Sequence, residues 1–149
     1  MKTIVTATAV LAMLAGSVLA EENRQLEGRK GQFNILALNV GILGGMAKGA
    51  MPYDAEAAQA AADSIVGVSM VHQATLFPEG SDSMSIDDTR AQPNIWDNFS
   101  DFESKWAALG DAARNMQTVA ATGQEAIGPA LGQLGGACKA CHDTYRAPE

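Results

Sequence analysis

The chain has 149 residues, of which 47% are hydrophobic and 18% charged, and its 17 acidic and 10 basic side chains give a net charge of −7. So few basic residues argue against nucleic acid as the main partner, because binding to phosphate groups needs clustered positive charge. Only 5% of the residues are aromatic, and the abundance of alanine and glycine favours packed helices over a β-sandwich. Two cysteines are too few for a disulfide scaffold.

Residues 1–20 have the pattern of a secretory signal peptide. Lys2 supplies a positive start, an apolar stretch follows, and Val18 and Ala20 place β-branched and small residues at the −3 and −1 positions of the cleavage site. We therefore expect export, cleavage after Ala20 and one mature domain over residues 21–149. A retained N-terminal membrane anchor is the alternative. No later stretch is long and apolar enough to span a bilayer, so we expect no membrane association of the mature form.

Two helices are predicted in the first part of the mature domain. The first covers about residues 24–48, and its apolar positions recur with helical spacing. Asp54 is a predicted N-cap of the second helix, because its carboxylate can accept from the first turn. That helix is expected to continue to about Phe77, with His72 on its apolar stripe, and to end at Pro78. In the first helix the main apolar stripe and a second strip beside it comprise Leu26, Phe33, Leu36, Val40 and Leu43, and Ile35, Leu38 and Ile42.

Two further helices are predicted after a polar segment. The third is expected between Pro93 and Gly123, with apolar residues at alternating spacings of three and four. The fourth covers the C-terminal region, where Gly128 and Pro129 indicate either a start or a kink. Residues 78–93 are rich in Ser, Asp, Gly and Pro and show no period, so we expect a long loop there.

Four amphipathic segments, two short connections and one longer crossover predict an all-α fold, an antiparallel four-helix bundle. Two separate two-helix domains are the alternative, but each would have too small a core.

The chemistry is predicted in the fourth helix, where residues 138–142 have the sequence Cys-Lys-Ala-Cys-His. Thiols at positions i and i+3 project from one face of a helix, and His142 lies one turn from Cys138. This spacing allows Cys138 and Cys141 to bond the two vinyl groups of a haem while the imidazole reaches the iron. The C-x-x-C-H pattern is therefore typical of covalent c-type haem attachment, and we expect one haem c per chain.

Three other interpretations of this motif agree less well with the sequence. A structural zinc site needs four ligands, and only His72 remains as a nitrogen donor. A thioredoxin-like dithiol would begin a helix that follows a strand, whereas this pair lies near the end of the last helix. A disulfide between positions i and i+3 of a regular helix is geometrically awkward.

The C-terminal residues 134–146 closely resemble those of the cytochromes c′, the class II c-type cytochromes of photosynthetic and denitrifying bacteria. The resemblance implies a left-handed antiparallel four-helix bundle with the haem between its helices, a periplasmic location, and a homodimer that forms through the first two helices. Ile35, Leu38 and Ile42 lie off the main stripe and agree with such a dimer, because an extra apolar strip needs a partner. The similarity also includes Arg29, Phe33 and residues 52–55, 76–80 and 93–96.

The same resemblance assigns residues to the haem. Cys138 and Cys141 would form the thioethers, and His142 would be the iron ligand. Phe33 stands where low-spin relatives place a methionine on the first helix, so it would cover the opposite side of the iron.

Five basic or hydroxyl residues are assigned to the surroundings of the haem by the resemblance. Arg29 and Lys30 occupy positions that approach one propionate, and Thr89 and Arg90 occupy the loop region of a second propionate contact. Arg146 matches a basic residue near the iron-bound imidazole. The alternative for Arg146 is a solvated cation that interacts favourably with the helix C-terminus.

Two functions are expected from different classes. The first is binding of small diatomic gases, chiefly NO and also CO, at a five-coordinate high-spin iron shielded by Phe33. The alternative is a low-spin cytochrome that exchanges electrons with partner proteins and has a sixth protein ligand, for which Met46, Met70 and His72 are the candidates. Peroxidase chemistry needs a base and a cation beside the substrate, and Phe33 is neither, so we expect no enzyme.

Overall fold

The computed structural model describes residues 5–148 and, of these, the side chains of residues 24–148. The predicted signal-peptide cleavage after Ala20 lies outside the residues whose side chains are described and stays a prediction. No helix in the described part of the chain has both the length and the apolar character to cross a membrane. The helices in chain order are α1 Val5–Ala47, α2 Ala55–Ser69, a 3-10 turn Gln73–Thr75, α3 Asn94–Asp97, α4 Phe99–Val119 and α5 Gln124–Tyr145.

The four long helices form a ring in which α1 packs on α2 and α5, while α4 packs on the same two helices. The Tyr53 hydroxyl, just before α2, donates to the carbonyl oxygen of Ala120 at the end of α4 at 3.0 Å. The Gln124 amide, at the start of α5, donates to the carbonyl oxygen of Met46 near the end of α1 at 2.8 Å. The start of α2 therefore lies beside the end of α4, and the start of α5 beside the end of α1. The predicted antiparallel four-helix bundle is confirmed.

The bundle has two distinct ends. The hairpin end comprises residues 46–59 and 116–127, where short connections join α1 to α2 and α4 to α5. The crossover end comprises residues 24–39, 69–106 and 134–147, and the long connection between α2 and α4 lies there. The main core runs through the bundle towards the hairpin end and consists largely of alanine and aliphatic side chains, which allow close helix approach. Its most completely buried members are Leu43, Ala58, Ala62, Ile65, Ala113, Met116, Ala120 and Ile127.

Helix α2 is shorter than predicted. It begins after the N-cap Asp54, as expected, and the carboxylate accepts from the amide of Ala57 at 2.8 Å. It ends at Ser69 rather than near Phe77, because the chain turns to bury Gln73, whose amide oxygen accepts from the Gln32 side chain at 2.8 Å. The expectation that His72 lies on an apolar helical stripe is therefore wrong, since the side chain is exposed outside the helix.

The predicted third helix is two helices. Asn98 has φ −133° and ψ 41°, outside the helical region, and separates the short α3 from α4. The predicted stripe survives the break, because Ile95 in α3 and Phe102 in α4 are both buried in one cluster. Helix α5 begins at Gln124 and contains Pro129, so a helix start at that proline is wrong. The residue before α5, Gly123, has φ 153°, a conformation that favours glycine.

Candidate cofactor site

The two thiols of α5 face the interior from the crossover end. Cys138 and Cys141 are both free and half-buried. Cys138 packs against the main core, whereas Cys141 packs against the aromatic cluster. The aromatic cluster is defined by its buried members Phe77, Ala91, Ile95, Phe102 and Tyr145.

Burial raises the pKa of the Cys138 thiol and raises that of Cys141 to about 11. Both are therefore neutral near pH 7, unlike the thiolates that a redox dithiol or a zinc site requires. In the part of the chain whose side chains are described, no three His, Cys, Asp or Glu residues come together as a metal-binding group. Neither alternative gains support, and the pair is suited to thioether formation.

His142 follows the second thiol and is exposed. Partial burial lowers the pKa of its imidazole, and the positive charges of Arg146 and Arg90 lower it further. The neutral imidazole is the form that binds a metal ion. Nη1 of Arg146 lies 3.4 Å from Nδ1 of His142, so the contact implied by the resemblance is present although Arg146 is itself an exposed residue at the helix end.

An aromatic pair borders the same region. Phe33 on α1 is 38% exposed, and its ring meets that of Trp106 on α4 at right angles with 6.0 Å between the centroids. Trp106 and Cys138 both pack against the main core, so the pair lies at the crossover end of that core. The indole Nε1 of Trp106 is enclosed but has no hydrogen-bond partner within the described part of the chain. Flat apolar surfaces, two inward thiols, a neutral imidazole and an unused donor fit a covalently held haem.

Arg29 on α1 binds the long connection between α2 and α4, here called the crossover. Its side chain is 4% exposed, and its guanidinium lies over the ring of Phe77 at 4.0 Å. Burial lowers its pKa to about 10, so the group stays charged at neutral pH. Three of its hydrogen bonds go to the carbonyl oxygen of Leu76 at 2.9 Å, the carbonyl oxygen of Ser81 at 2.9 Å and Oγ1 of Thr89 at 3.1 Å.

The structure thus brings Arg29 and Thr89 together, because the Arg29 guanidinium donates to the Thr89 hydroxyl. Lys30 lies at the surface beside two acids, with Nζ 3.4 Å from Glu27 and 3.5 Å from Asp88. The approach of these residues to haem propionates stays a prediction.

A sequence model of the family described as Cytochrome C' matches residues 24–146. The chain belongs to the cytochrome c′ family. Cytochrome c′ of Cereibacter sphaeroides is 36% identical over 146 residues, which cover 98% of each chain. Cytochrome c-554 of the same organism is 38% identical over 150 residues, again with 98% of each chain covered. The solved structure of a Rhodobacter cytochrome c′ superposes with a TM-score of 0.82 at 36% identity, covering 87% of this chain and 99% of that one.

Membership of the cytochrome c′ family makes this chain a c-type cytochrome. Cytochromes c′ bind haem c, and Cys138 and Cys141 are the two cysteines of this chain. Their half-buried positions on the inner side of α5 are consistent with covalent attachment.

A set of hydrogen bonds, here called the C-terminal clamp, fixes the C-terminal end of α5, the helix that carries the haem motif. The last carbonyl groups of a helix have no partner within it. In this chain, residues 90–94 of the crossover form hydrogen bonds with residues 144–147, and an isolated β-bridge joins Ala91 to Arg146. Nε and Nη2 of Arg90 donate to the carbonyl oxygen of Ala147 at 2.8 and 2.6 Å. The backbone amide of Gln92 donates to the carbonyl oxygen of Tyr145 at 3.0 Å, and Nδ2 of Asn94 donates to that of Thr144 at 3.0 Å.

A second tie joins α5 to α4 next to Cys141. The Tyr145 hydroxyl donates to Oδ2 of Asp101 at 2.7 Å, and Nζ of Lys105 lies 3.4 Å from the same oxygen. Burial and the carboxylate raise the pKa of Tyr145 to about 12.

Sequence reasoning placed Arg90 near a propionate and did not anticipate the clamp, Trp106 or the Tyr145–Asp101 bond. The helical stripes identified the aromatic residues as apolar but carried no signal for their polar atoms.

Proposed function

We propose that this chain is a periplasmic cytochrome c′ that binds small diatomic gases, chiefly NO and also CO, on the Phe33 side of a haem whose iron is held by His142. When bound, the haem supplies an iron that takes a diatomic ligand and changes oxidation state. Cys138 and Cys141 would fix the group covalently to α5. The neutral imidazole of His142, favoured by burial and by Arg146, has the lone pair that iron ligation needs.

The observation that carries the proposal is where the candidate sixth ligands lie. Met46 is buried near the hairpin end, next to the bond between its carbonyl and Gln124. Met70 is 72% exposed at the end of α2, and His72 is exposed beyond it. Phe33, which has no donor atom, lies instead beside Trp106 near the thiols. This arrangement favours five-coordinate, high-spin iron over the low-spin electron carrier.

The Phe33 ring also limits what binds. A phenyl group excludes bulky ligands and has neither a base nor a cation to cleave an O–O bond, so we propose a gas-binding and redox protein rather than a peroxidase. Entry of a ligand would require the ring to move. Its 38% exposure supports such movement, because one side of the ring is not enclosed by the bundle.

The test is the absorption and resonance Raman spectrum of the purified protein in both oxidation states, with and without CO or NO. We expect high-spin spectra without ligand and a new species with each gas. Low-spin spectra in both oxidation states at neutral pH would overturn the proposal in favour of the electron carrier. Phe33→Met, which supplies a thioether, should turn the spectrum low-spin. Phe33→Ala should raise CO affinity, tenfold for about every 1.4 kcal/mol of steric cost removed.

We further propose a homodimer that forms through α1 and α2. Ile35 is 46% and Leu38 64% exposed on α1, so these two residues of the predicted strip face outwards and need a cover, whereas Ile42 packs against the main core. Sedimentation at tens of micromolar protein should give twice the chain mass, and Leu38→Glu should give the monomer. A wild-type monomer at that concentration would contradict the dimer without affecting the gas-binding proposal.

A further inference from the structure

The chain has two tryptophans, and their indole N–H groups are in opposite situations. Nε1 of Trp96 donates to the carbonyl oxygen of Phe77 at 3.2 Å. Nε1 of Trp106 is enclosed by protein and has no partner among the residues whose side chains are described. A buried donor without an acceptor costs free energy, and native proteins retain few of them. The donor of Trp106 therefore needs an acceptor that the protein itself does not supply.

The position of Trp106 indicates where that acceptor binds. Its ring contacts the edge of Phe33 at right angles with 6.0 Å between centroids, and both side chains belong to diagonal helices of the bundle, α1 and α4. Cys138 borders the same core as Trp106. Trp106 therefore contacts the residue that would cover the gas ligand, and it lies at the same end of the bundle as the two thiols that would hold the haem.

We propose that the indole N–H of Trp106 is the hydrogen-bond donor to the diatomic ligand bound on the Phe33 side. The inference rests on the proposed function, which supplies the ligand. Phe33 would act as a steric barrier and Trp106 as the polar contact behind it. Because a hydrogen bond favours ligands whose outer atom carries negative charge, Trp106 would determine specificity among ligands that pass the phenyl ring.

Two phenylalanine substitutions test this with a matched control. Trp106→Phe removes the donor and keeps an aromatic ring, whereas Trp96→Phe removes the donor that already has a protein partner. In ferrous protein with CO, Trp106→Phe should raise the C–O stretching frequency and speed ligand dissociation between about two- and tenfold, the range expected for one neutral hydrogen bond. Trp96→Phe should change neither quantity.

A second measurement needs no variant and covers the case in which Trp106→Phe does not fold. In the wild type, exchange of the indole hydrogen for deuterium should shift the vibrational frequencies of the bound ligand.

Three results would overturn the inference. The first is unchanged frequencies and rates in a folded Trp106→Phe protein that still binds CO. The second is no isotope shift in the wild type. The third is a change in reduction potential with an unchanged C–O frequency, which would place the donor on a haem carboxylate instead. If the wild type takes up neither CO nor NO, the proposed function itself fails, which is a different outcome.

Discussion

The two ends of the bundle differ in the residues that form them. At the hairpin end, alanines such as Ala58 and Ala120 let the helices approach closely around Met116 and Ile127. At the crossover end lies every aromatic residue except Tyr53, together with a buried arginine, a buried glutamine pair and two half-buried thiols. The hairpin end gains its stability chiefly from apolar burial, supplemented by the hydrogen bonds of Tyr53 and Gln124. The other contains polar groups that need fixed partners, which is the arrangement a protein uses to position a cofactor.

The largest effect should come from removing the thiols. In the double variant Cys138→Ala and Cys141→Ala, acid acetone should extract all pigment, because only coordination by His142 and apolar burial would hold it. The wild type should keep its pigment, and its mass should exceed that of the mature polypeptide by one haem. Circular dichroism should still show a helical bundle, since the hairpin end does not depend on the thiols. Extraction of pigment from the wild type would contradict covalent attachment.

The next effect contrasts the two ends directly. Arg29→Met keeps an unbranched side chain but leaves the carbonyl groups of Leu76 and Ser81 without their donor, which should lower the free energy of unfolding by about 2–3 kcal/mol. Ile127→Ala at the hairpin end, where the side chain is fully buried, should lower it by about 2–5 kcal/mol. Urea unfolding measures both.

The visible spectrum separates the two variants. We expect Arg29→Met to alter it, because the crossover loses its attachment beside the haem site. We expect Ile127→Ala to leave it unchanged. Equal spectra in both variants would show that the ends are not functionally distinct.

The smallest effect concerns Tyr145. Its hydroxyl is bonded to Asp101, and Tyr145→Phe should lower the free energy of unfolding at pH 7 by about 1 kcal/mol. Because the folded pKa is about 12 instead of 10, the unfolded chain loses this proton first as the pH rises. The stabilisation is complete below pH 10 and falls between pH 10 and 12. The stability difference between wild type and Tyr145→Phe should therefore shrink over that interval, and a constant difference would exclude this titration as its source.

Local sequence signals predicted the helices where local forces determine them. Asp54 caps α2 as its carboxylate suggests, and the apolar stripes gave the correct number of long helices. They failed where tertiary contacts prevail over local preference. Helix α2 stops at Ser69 because burial of Gln73 against Gln32 is a contact between distant segments, and a stripe that continues through His72 gives no sign of it.

The site shows the same division. The spacing of Cys138, Cys141 and His142 is a local pattern and identifies the haem motif without a structure. The isolated donor of Trp106 is not predictable in this way, because an unsatisfied N–H is a property of all the residues around it. The bonds from Arg90 to Ala147 also join segments far apart in the sequence, and no periodicity records them.

The C-terminal clamp has a consequence for the order in which this end of the protein is completed. It joins residues 90–94 to residues 144–147, which are far apart in the sequence. Loops of this length close late, after local hairpins have formed. During synthesis from the N-terminus, the hairpin between α1 and α2 can form early, whereas the clamp must await the last few residues. The haem-bearing end is therefore the last part of the bundle to close, and the thiols stay accessible for attachment until then.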